Sequence, residues 1–360
     1  MALKSELTKN QMSDLCGNGV VLHLFGWDKK FVMPFFDFVA EHFLIKEHRF
    51  IVHGAALNED MPKDRGIVYF HNVLENLLRL MAEIRSARKV IIHGLFSSQL
   101  LYVLALQPWL LKKCYWTIWG GDLYVHEAER RDWRRHKNEW FRRFVISRLG
   151  HFITHIRGDY EFARQWYGAS GHWHECFLYP SNIFHPSPVA RKAHEGTNIL
   201  LGNSASPTNY HIEALEKLRP FSGDNISIYC PLSYGDLGYA DYVAKVGREF
   251  FGEKFIPLRK FISFDSYIDL LASIDIAIFN HKRQQAMGNI TMLLGLGSRV
   301  YMRDNLTSWA TLKNIGVDIS AIDSFNSLET SVSSDNKYII AGMFTVSNLI
   351  AGWHAIFKAS

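Results

Sequence analysis

The sequence predicts a two-domain α/β protein built on parallel sheets, and three observations carry that prediction. The chain has 360 residues, which suits two domains at the usual ~100–200 residues each. Short apolar runs ending on glycine recur at a spacing that leaves room for helices between them, the mark of βαβ units. A stretch rich in Pro, Ser and Asn at 178–197 interrupts this rhythm, and the rhythm then restarts.

The first half opens with VVLHLF (20–25), an apolar strand followed by a loop at Gly26, Trp27 and Asp28. RFIVHG (49–54), KVIIHG (89–94), CYWTIWGG (114–121) and GHFITHIRGD (150–159) repeat the form. Ligands of open parallel sheets sit at the carboxyl ends of strands. Those ends carry Asp28, His93, Asp122 and Asp159. After the break, TNILLGNSAS (197–206) is a strand with a loop, and a helix starts near Thr208. NISIYCPLSYG (225–235), FIPLRKFISF (255–264), DIAIFN (275–280) and SRVYM (298–302) supply further strands. Asp265 is expected to cap the helix that follows it, and residues 338–357 read as one closing helix. The domains expected are 1–180 and 197–335, joined by a linker at 181–196. A terminal helix over 336–360 is expected to pack back on the first domain.

Composition narrows the class. Hydrophobic residues are 48% and charged residues 21% of the chain, which excludes a disordered protein. The net charge of +5 is too small for a dedicated nucleic-acid binder, so no nucleic-acid partner is expected. It suits a phosphate ligand or a lipid headgroup surface. Cys16, Cys114, Cys176 and Cys230 form no C-x-x-C pair, which argues for reduced thiols rather than zinc or disulfides. Residues 1–19 are polar and mixed in charge, so no signal peptide is expected. The apolar region 90–111 is broken by His93, Gly94, Ser97, Ser98, Gln99, Gln107 and Pro108, and predicts strand, loop and helix rather than a membrane span.

Four segments could carry chemistry. Gly202, Asn203 and Ser204 lie between a strand and a helix, where backbone N–H groups can hold a phosphate; an ordinary capped turn is the alternative. Arg283, Gln284 and Gln285 precede Gly288 at the mouth of an apolar helix. Fixed positive charge, helix dipole and amide donors there suit a diphosphate and a sugar. The competing reading is a solvated basic loop. Trp119, Gly120, Gly121 and Asp122 place a carboxylate beside backbone that a ligand can approach closely. Asp122 is therefore the first candidate to activate an acceptor hydroxyl and His93 the second, against readings as a cap and as a structural histidine. Finally, 129–148 holds eight Arg or Lys with Trp133, Trp140, Phe141 and Phe144 near helical spacing. Such a helix either lies on an anionic membrane or packs its aromatics inward. There is no D-x-D cluster, so no metal and no other cofactor is expected, and Arg283 with Lys260 would neutralise a diphosphate.

The segments IIHGLF, YWTIWGGDLY, LLGNSASPTNYHIEAL, CPLSYG and FDSYIDLLASIDIAIFNHKRQQAMGNITMLLGLG resemble the bacterial TDP-4-acetamido-4,6-dideoxygalactose (Fuc4NAc) transferases, glycosyltransferase family 56. The matches spread over roughly 90–300. The resemblance implies a GT-B architecture, two Rossmann-like domains facing a central cleft. It implies a TDP-linked sugar donor on Gly202, Asn203, Ser204, Pro231, Tyr234, Arg283, Gln284, Gln285 and Gly288. It implies a polyprenyl-diphosphate-linked saccharide acceptor on the first domain, where Asp28, Trp119, Gly120 and Tyr124 are the expected contacts. The enzyme would work in common-antigen or O-antigen assembly, peripherally on the cytoplasmic face of the bacterial inner membrane, and touch it through the basic aromatic helix near Trp133–Phe144. The E-x7-E donor motif of large retaining GT-B families is replaced by KRQQAMGN. The alternatives are a UDP-sugar-dependent transferase on another glycan, a nucleotide-sugar isomerase, and a non-catalytic protein that binds anionic surfaces.

Overall fold

The computed structural model describes residues 19–54, 66–127, 133–186 and 194–359. The amino-terminal residues 1–18, the start of the basic segment at 129–132 and the middle of the expected linker at 187–193 lie outside the described residues, as do the side chains of residues 133–135. The chain divides into two compact units, Met1–Pro180 with Ile350–Ser360, and Ser181–Leu349.

The first unit runs β1 (Val21–Gly26), α1 (Lys29–His42), β2 (His48–His53), β3 (Ile67–Phe70), α2 (Leu77–Ser86), β4 (Lys89–His93), α3 (Ser98–Ala105), β5 (Cys114–Thr117), α4 (Trp133–Ile146), β6 (His151–Ile153), α5 (Arg157–Tyr167) and β7 (His172–His174). Its seven strands are parallel in the order β3-β2-β1-β4-β5-β6-β7. β1 and β4 are buried nearly throughout because both faces are covered. Leu22 and Leu24 enter one core with Val90, Ile92 and Trp116. The alternate residue His23 stacks on Phe50 on the opposite face. Each such aliphatic side chain taken fully out of water contributes ~1.5–3 kcal/mol.

The second unit runs β8 (Thr197–Leu201), α6 (His211–Leu218), β9 (Ile226–Pro231), α7 (Leu237–Phe251), β10 (Phe255–Leu258), α8 (Phe264–Ala272), β11 (Ile276–Phe279), α9 (Met287–Leu296), β12 (Arg299–Met302), α10 (Thr307–Asn314), β13 (Ser320–Ala321) and α11 (Asp335–Met343). Its strand order is β10-β9-β8-β11-β12-β13, again parallel. In each sheet the order reverses beside the first strand, between β1 and β4 and between β8 and β11. Those two points are where a doubly wound sheet opens a crevice at its carboxyl edge.

Three expectations need correction. Asp265 does not cap α8: the Ser263 hydroxyl accepts from Ser266 N–H at 3.3 Å, and Asp265 sits inside the first turn, where the helix dipole favours it. The closing helix is two helices, α11 and α12 (Val346–Lys358), with a break between them. Strands β3, β7 and β13 went unanticipated; all three are sheet edges. The apolar region 90–111 resolves into β4, a loop and α3 as expected. Among the described residues no single helix is long and apolar enough to cross a membrane.

From residue 350 the chain belongs to the first unit. Trp353 is fully buried and its indole N–H donates to the Leu178 carbonyl at 2.8 Å. The last carbonyls of α12 accept from two cations at the start of β4. Arg88 donates to Phe357 O at 2.9 Å and Lys89 to Ile356 O at 2.7 Å, so positive charge meets the negative end of the helix.

Candidate functional site

The crevice of the second unit joins the loops after β8 and β11. Gly202 N–H donates to Ile278 O at 2.9 Å, which ties the β8 exit to β11. Gly202 has φ +69, and a Cβ there would lie 2.5 Å from His211 Nε2, so only glycine fits. Gln285 Nε2 donates to Asn203 Oδ1 at 2.7 Å, and Thr208 Oγ1 donates to Gln285 Oε1 at 3.0 Å. Asn203 Nδ2 donates to the Tyr234 hydroxyl at 3.2 Å. Ser204 is buried and its hydroxyl accepts from Asn209 Nδ2 at 3.2 Å. The structure thus brings Asn203, Ser204, Tyr234 and Gln285 into one neutral hydrogen-bonded network, with Tyr234 itself 46% exposed.

Beside this network begins α9. Ala286 precedes it with a left-handed φ of 60°, an uncommon conformation for a residue with a side chain. No side chain caps the helix, so its first N–H groups keep the donor capacity that suits an anion. Arg283 and Lys282 supply positive charge, and residues 276–303 contain no Asp or Glu. Burial, with Arg283 next, pushes His281 down to about 3, so its ring is neutral at physiological pH. Lys282 Nζ lies 4.2 Å from the centroid of the Tyr210 ring, and Arg303 clasps Glu213 through two contacts of 2.7 Å. Gly288 packs against backbone: a Cβ there would meet Ser181 O at 2.6 Å. Pro231 is buried as the last residue of β9, and Lys260 is exposed.

The first unit places its candidates differently. Asp122 is fully buried. Its Oδ2 accepts from Leu95 N–H at 2.8 Å and from Trp116 Nε1–H at 2.7 Å, and its Oδ1 accepts from Trp119 N–H at 3.0 Å. Burial raises its pKa, and these donors with Arg142 pull the other way. His93 is 2% exposed. Its Nδ1 lies 2.7 Å from the Tyr179 hydroxyl and its Nε2 3.0 Å from His23 Nδ1. Burial holds its pKa well below the usual histidine value. The sequence nominates both side chains for acceptor activation; here the polar atoms of each are engaged by the protein itself. Through these bonds Asp122 joins the loops that follow β4 and β5.

The remaining first-unit residues divide. Asp28 is exposed and caps α1 through Lys30 N–H at 3.0 Å. Trp119 is half-buried, with Nε1–H donating to the Tyr179 hydroxyl at 2.9 Å. Gly120 turns the chain with φ +80, and its carbonyl accepts from Leu123 and Tyr124 N–H at 2.9 Å. Tyr124 is buried in the core of the first unit, its hydroxyl donating to Asp159 at 3.2 Å. The basic helix also divides. Arg142 is buried and donates to Leu95 O at 2.7 Å, and Phe141 and Phe144 pack on the core. Trp140 remains 61% exposed. Sequence reasoning missed Tyr179 altogether because it lies in the proline-rich stretch 178–197 read as the break between domains. It missed the pair Asn289–Tyr267, joined at 2.8 Å, for lack of any local signal.

Comparisons with solved structures agree with this architecture. Anabaena Alr3699/HepE in complex with UDP and glucose superposes with a TM-score of 0.66 at 10% identity, covering 94% of this chain and 99% of that one. Sucrose-phosphate synthase from Thermosynechococcus elongatus gives 0.64 at 8% identity, with coverage of 94% and 98%. A glycosyltransferase from Rickettsia africae gives 0.63 at 10% identity, with coverage of 95% and 98%. At such identities these likenesses establish the fold, which is GT-B. The family described as 4-alpha-L-fucosyltransferase, glycosyl transferase group 56, matches residues 21–353. With two parallel doubly wound sheets and a family match spanning nearly the whole chain, this protein belongs to glycosyltransferase group 56.

Proposed function

We propose that the enzyme moves a 4-acetamido-4,6-dideoxyhexose from a TDP-linked donor to a polyprenyl-diphosphate-linked saccharide in surface polysaccharide assembly. The observation that carries this reading is the second-unit crevice. An uncapped helix start stands beside Arg283 and Lys282, next to the neutral amide network of Asn203 and Gln285. The charged part suits a diphosphate, and the amides suit sugar hydroxyl and acetamido groups. Neutralisation of the diphosphate by side chains and helix N–H groups makes the proposed reaction metal-independent. Pro231 and Tyr234 would face the nucleoside.

The acceptor is assigned to the first unit, with Asp28, Trp119 and Gly120 near it. Asp122 and His93 would position those loops. Work at the cytoplasmic face of the bacterial inner membrane fits the exposed side of α4, where Lys137, Trp140 and Arg143 lie outward.

Titration calorimetry tests the donor. TDP should bind more tightly than UDP, and Arg283→Ala should weaken TDP by ~1.5–3 kcal/mol through loss of a charge-assisted contact. Unchanged TDP affinity in that variant would remove the donor-site assignment. A UDP-sugar donor is the second reading, prompted by the UDP held by the HepE structure, and a preference for UDP would establish it.

A further inference from the structure

We propose that Phe31, Phe96 and Trp119 form an aromatic platform that stacks on a pyranose ring of the saccharide acceptor. The proposal rests on the transferase reading only in calling that saccharide the acceptor. The three residues follow three strands on the carboxyl side of the first sheet: Phe31 in the first turn of α1 after β1, Phe96 after β4, and Trp119 after β5. β1 and β4 are where the strand order reverses, the point at which such sheets receive ligands. Phe31 and Trp119 have ring centroids 4.5 Å apart, and Phe96 meets Trp119 edge-on at 5.7 Å.

The platform is open and held. Phe96 is 55% exposed, unusual for a phenylalanine beside buried strand ends. Its ring lies back over Gly94, where φ is +84 and a Cβ would come within 2.7 Å of the ring, so glycine is required for this pose. Trp119 is pinned twice, by its backbone N–H on Asp122 and by its indole N–H on Tyr179. Because the Tyr179 oxygen accepts from the indole, its own proton is left for His93 Nδ1 or Thr117 Oγ1, at 2.7 and 3.4 Å. The same Tyr179 ring touches Phe31 edge-on at 5.4 Å. Aromatic faces held this firmly meet a ligand with little ordering cost.

The chemistry of the rim selects a sugar. A pyranose presents polarised C–H groups to the negative face of an aromatic ring and hydroxyls around its edge. The surroundings here are polar: Asp28 is exposed, and the Lys30 ammonium lies over the Phe31 ring, 5.6 Å from its centroid. A prenyl chain on the same rings would desolvate those charged groups and return no hydrogen bond to them.

The test uses the full chain and N,N′-diacetylchitobiose as probe, followed by tryptophan fluorescence and by saturation transfer to the sugar protons. Wild type should bind saturably, with strongest transfer to the ring C–H protons. Phe96→Ala should weaken binding roughly tenfold. Phe96→Tyr, which keeps the ring, should restore it. Tyr179→Phe should also weaken it while circular dichroism and TDP affinity stay unchanged. The proposal is overturned if wild type shows no saturable binding, if Phe96→Ala binds as wild type does, or if farnesol displaces the sugar. Failure of wild type to bind TDP would instead sink the donor reading and leave the platform standing.

Discussion

Replacing Asp122 by Asn separates positioning from proton transfer. In the native protein three N–H groups converge on the carboxylate, two on Oδ2 and one on Oδ1. An asparagine oriented to keep the Leu95 and Trp116 bonds turns its NH2 toward the Trp119 N–H, donor against donor. One charge-assisted bond is lost, and the Trp119 amide is left unpaired in a buried place, a cost of ~2–4 kcal/mol. The neutral amide is easier to bury than a carboxylate, which offsets part of this, so a net loss of ~2 kcal/mol is expected. For a unit of this size that lowers the thermal midpoint by ~4–8 °C. Differential scanning calorimetry should show the shift in the first-unit transition, and TDP affinity should be unchanged because the donor loops belong to the other unit. The acceptor KM should rise as Trp119 slackens. An unshifted transition together with collapsed turnover would refute the reasoning and return Asp122 to direct proton transfer.

Acid should unfold the protein over a window set by its imidazoles. Among the described residues nine of them, including His23, His48, His53, His93 and His211, are held by burial below the ordinary histidine value of about 6.5. The unfolded chain takes up these protons below 6.5 while the folded chain refuses them until about 4, as at His53. Stability is therefore fully present above 6.5 and is lost as pH falls toward 4, with His53 alone contributing ~3 kcal/mol at the acid end. Thermal midpoints measured from pH 7.5 downward, over roughly two units, that stay flat would contradict this. Trp353→Ala removes a fully buried indole and its bond to Leu178 O, and should cost ~3–5 kcal/mol in urea unfolding. A loss no larger than that of a surface substitution would mean that α12 does not hold the first unit together.

The central strands were legible because a strand covered on both faces writes itself as a short apolar run, as VLHLF and KVIIH do. The edge strand at 172–174, HWH, is too short and polar to carry that pattern. The segments of the second-unit crevice could be picked out for a related reason: Gly202–Ser204 and Arg283–Gln285 are each contiguous, and each follows a readable strand. What no local pattern shows is the bond between Gln285 and Asn203, 82 residues apart. For Asp122 and His93 the sequence shows the strand end but not the bonds their polar atoms make. A strand end tells which edge of the sheet a residue occupies but not whether its polar atoms are already taken. Both partners of His93, Tyr179 and His23, come from distant parts of the chain, and Asp122 adds the Leu95 N–H, 27 residues away, to the nearby Trp116 and Trp119. Tyr179 sits in a stretch, 178–197, whose prolines mark a break in the strand–helix rhythm. The basic run misled in a different way, since its arginines look alike in the sequence while Arg142 turns inward to bind Leu95 O and Arg143 faces out. Charge density along a helix is a property of composition; which charges meet solvent depends on the carbonyls that the rest of the fold leaves without a donor. By that logic the exposed Phe96 is more informative than the buried acid beside it. The acid is engaged by the protein's own N–H groups, whereas the Phe96 ring lies over Gly94 at the carboxyl edge of the sheet and keeps 55% of its surface exposed.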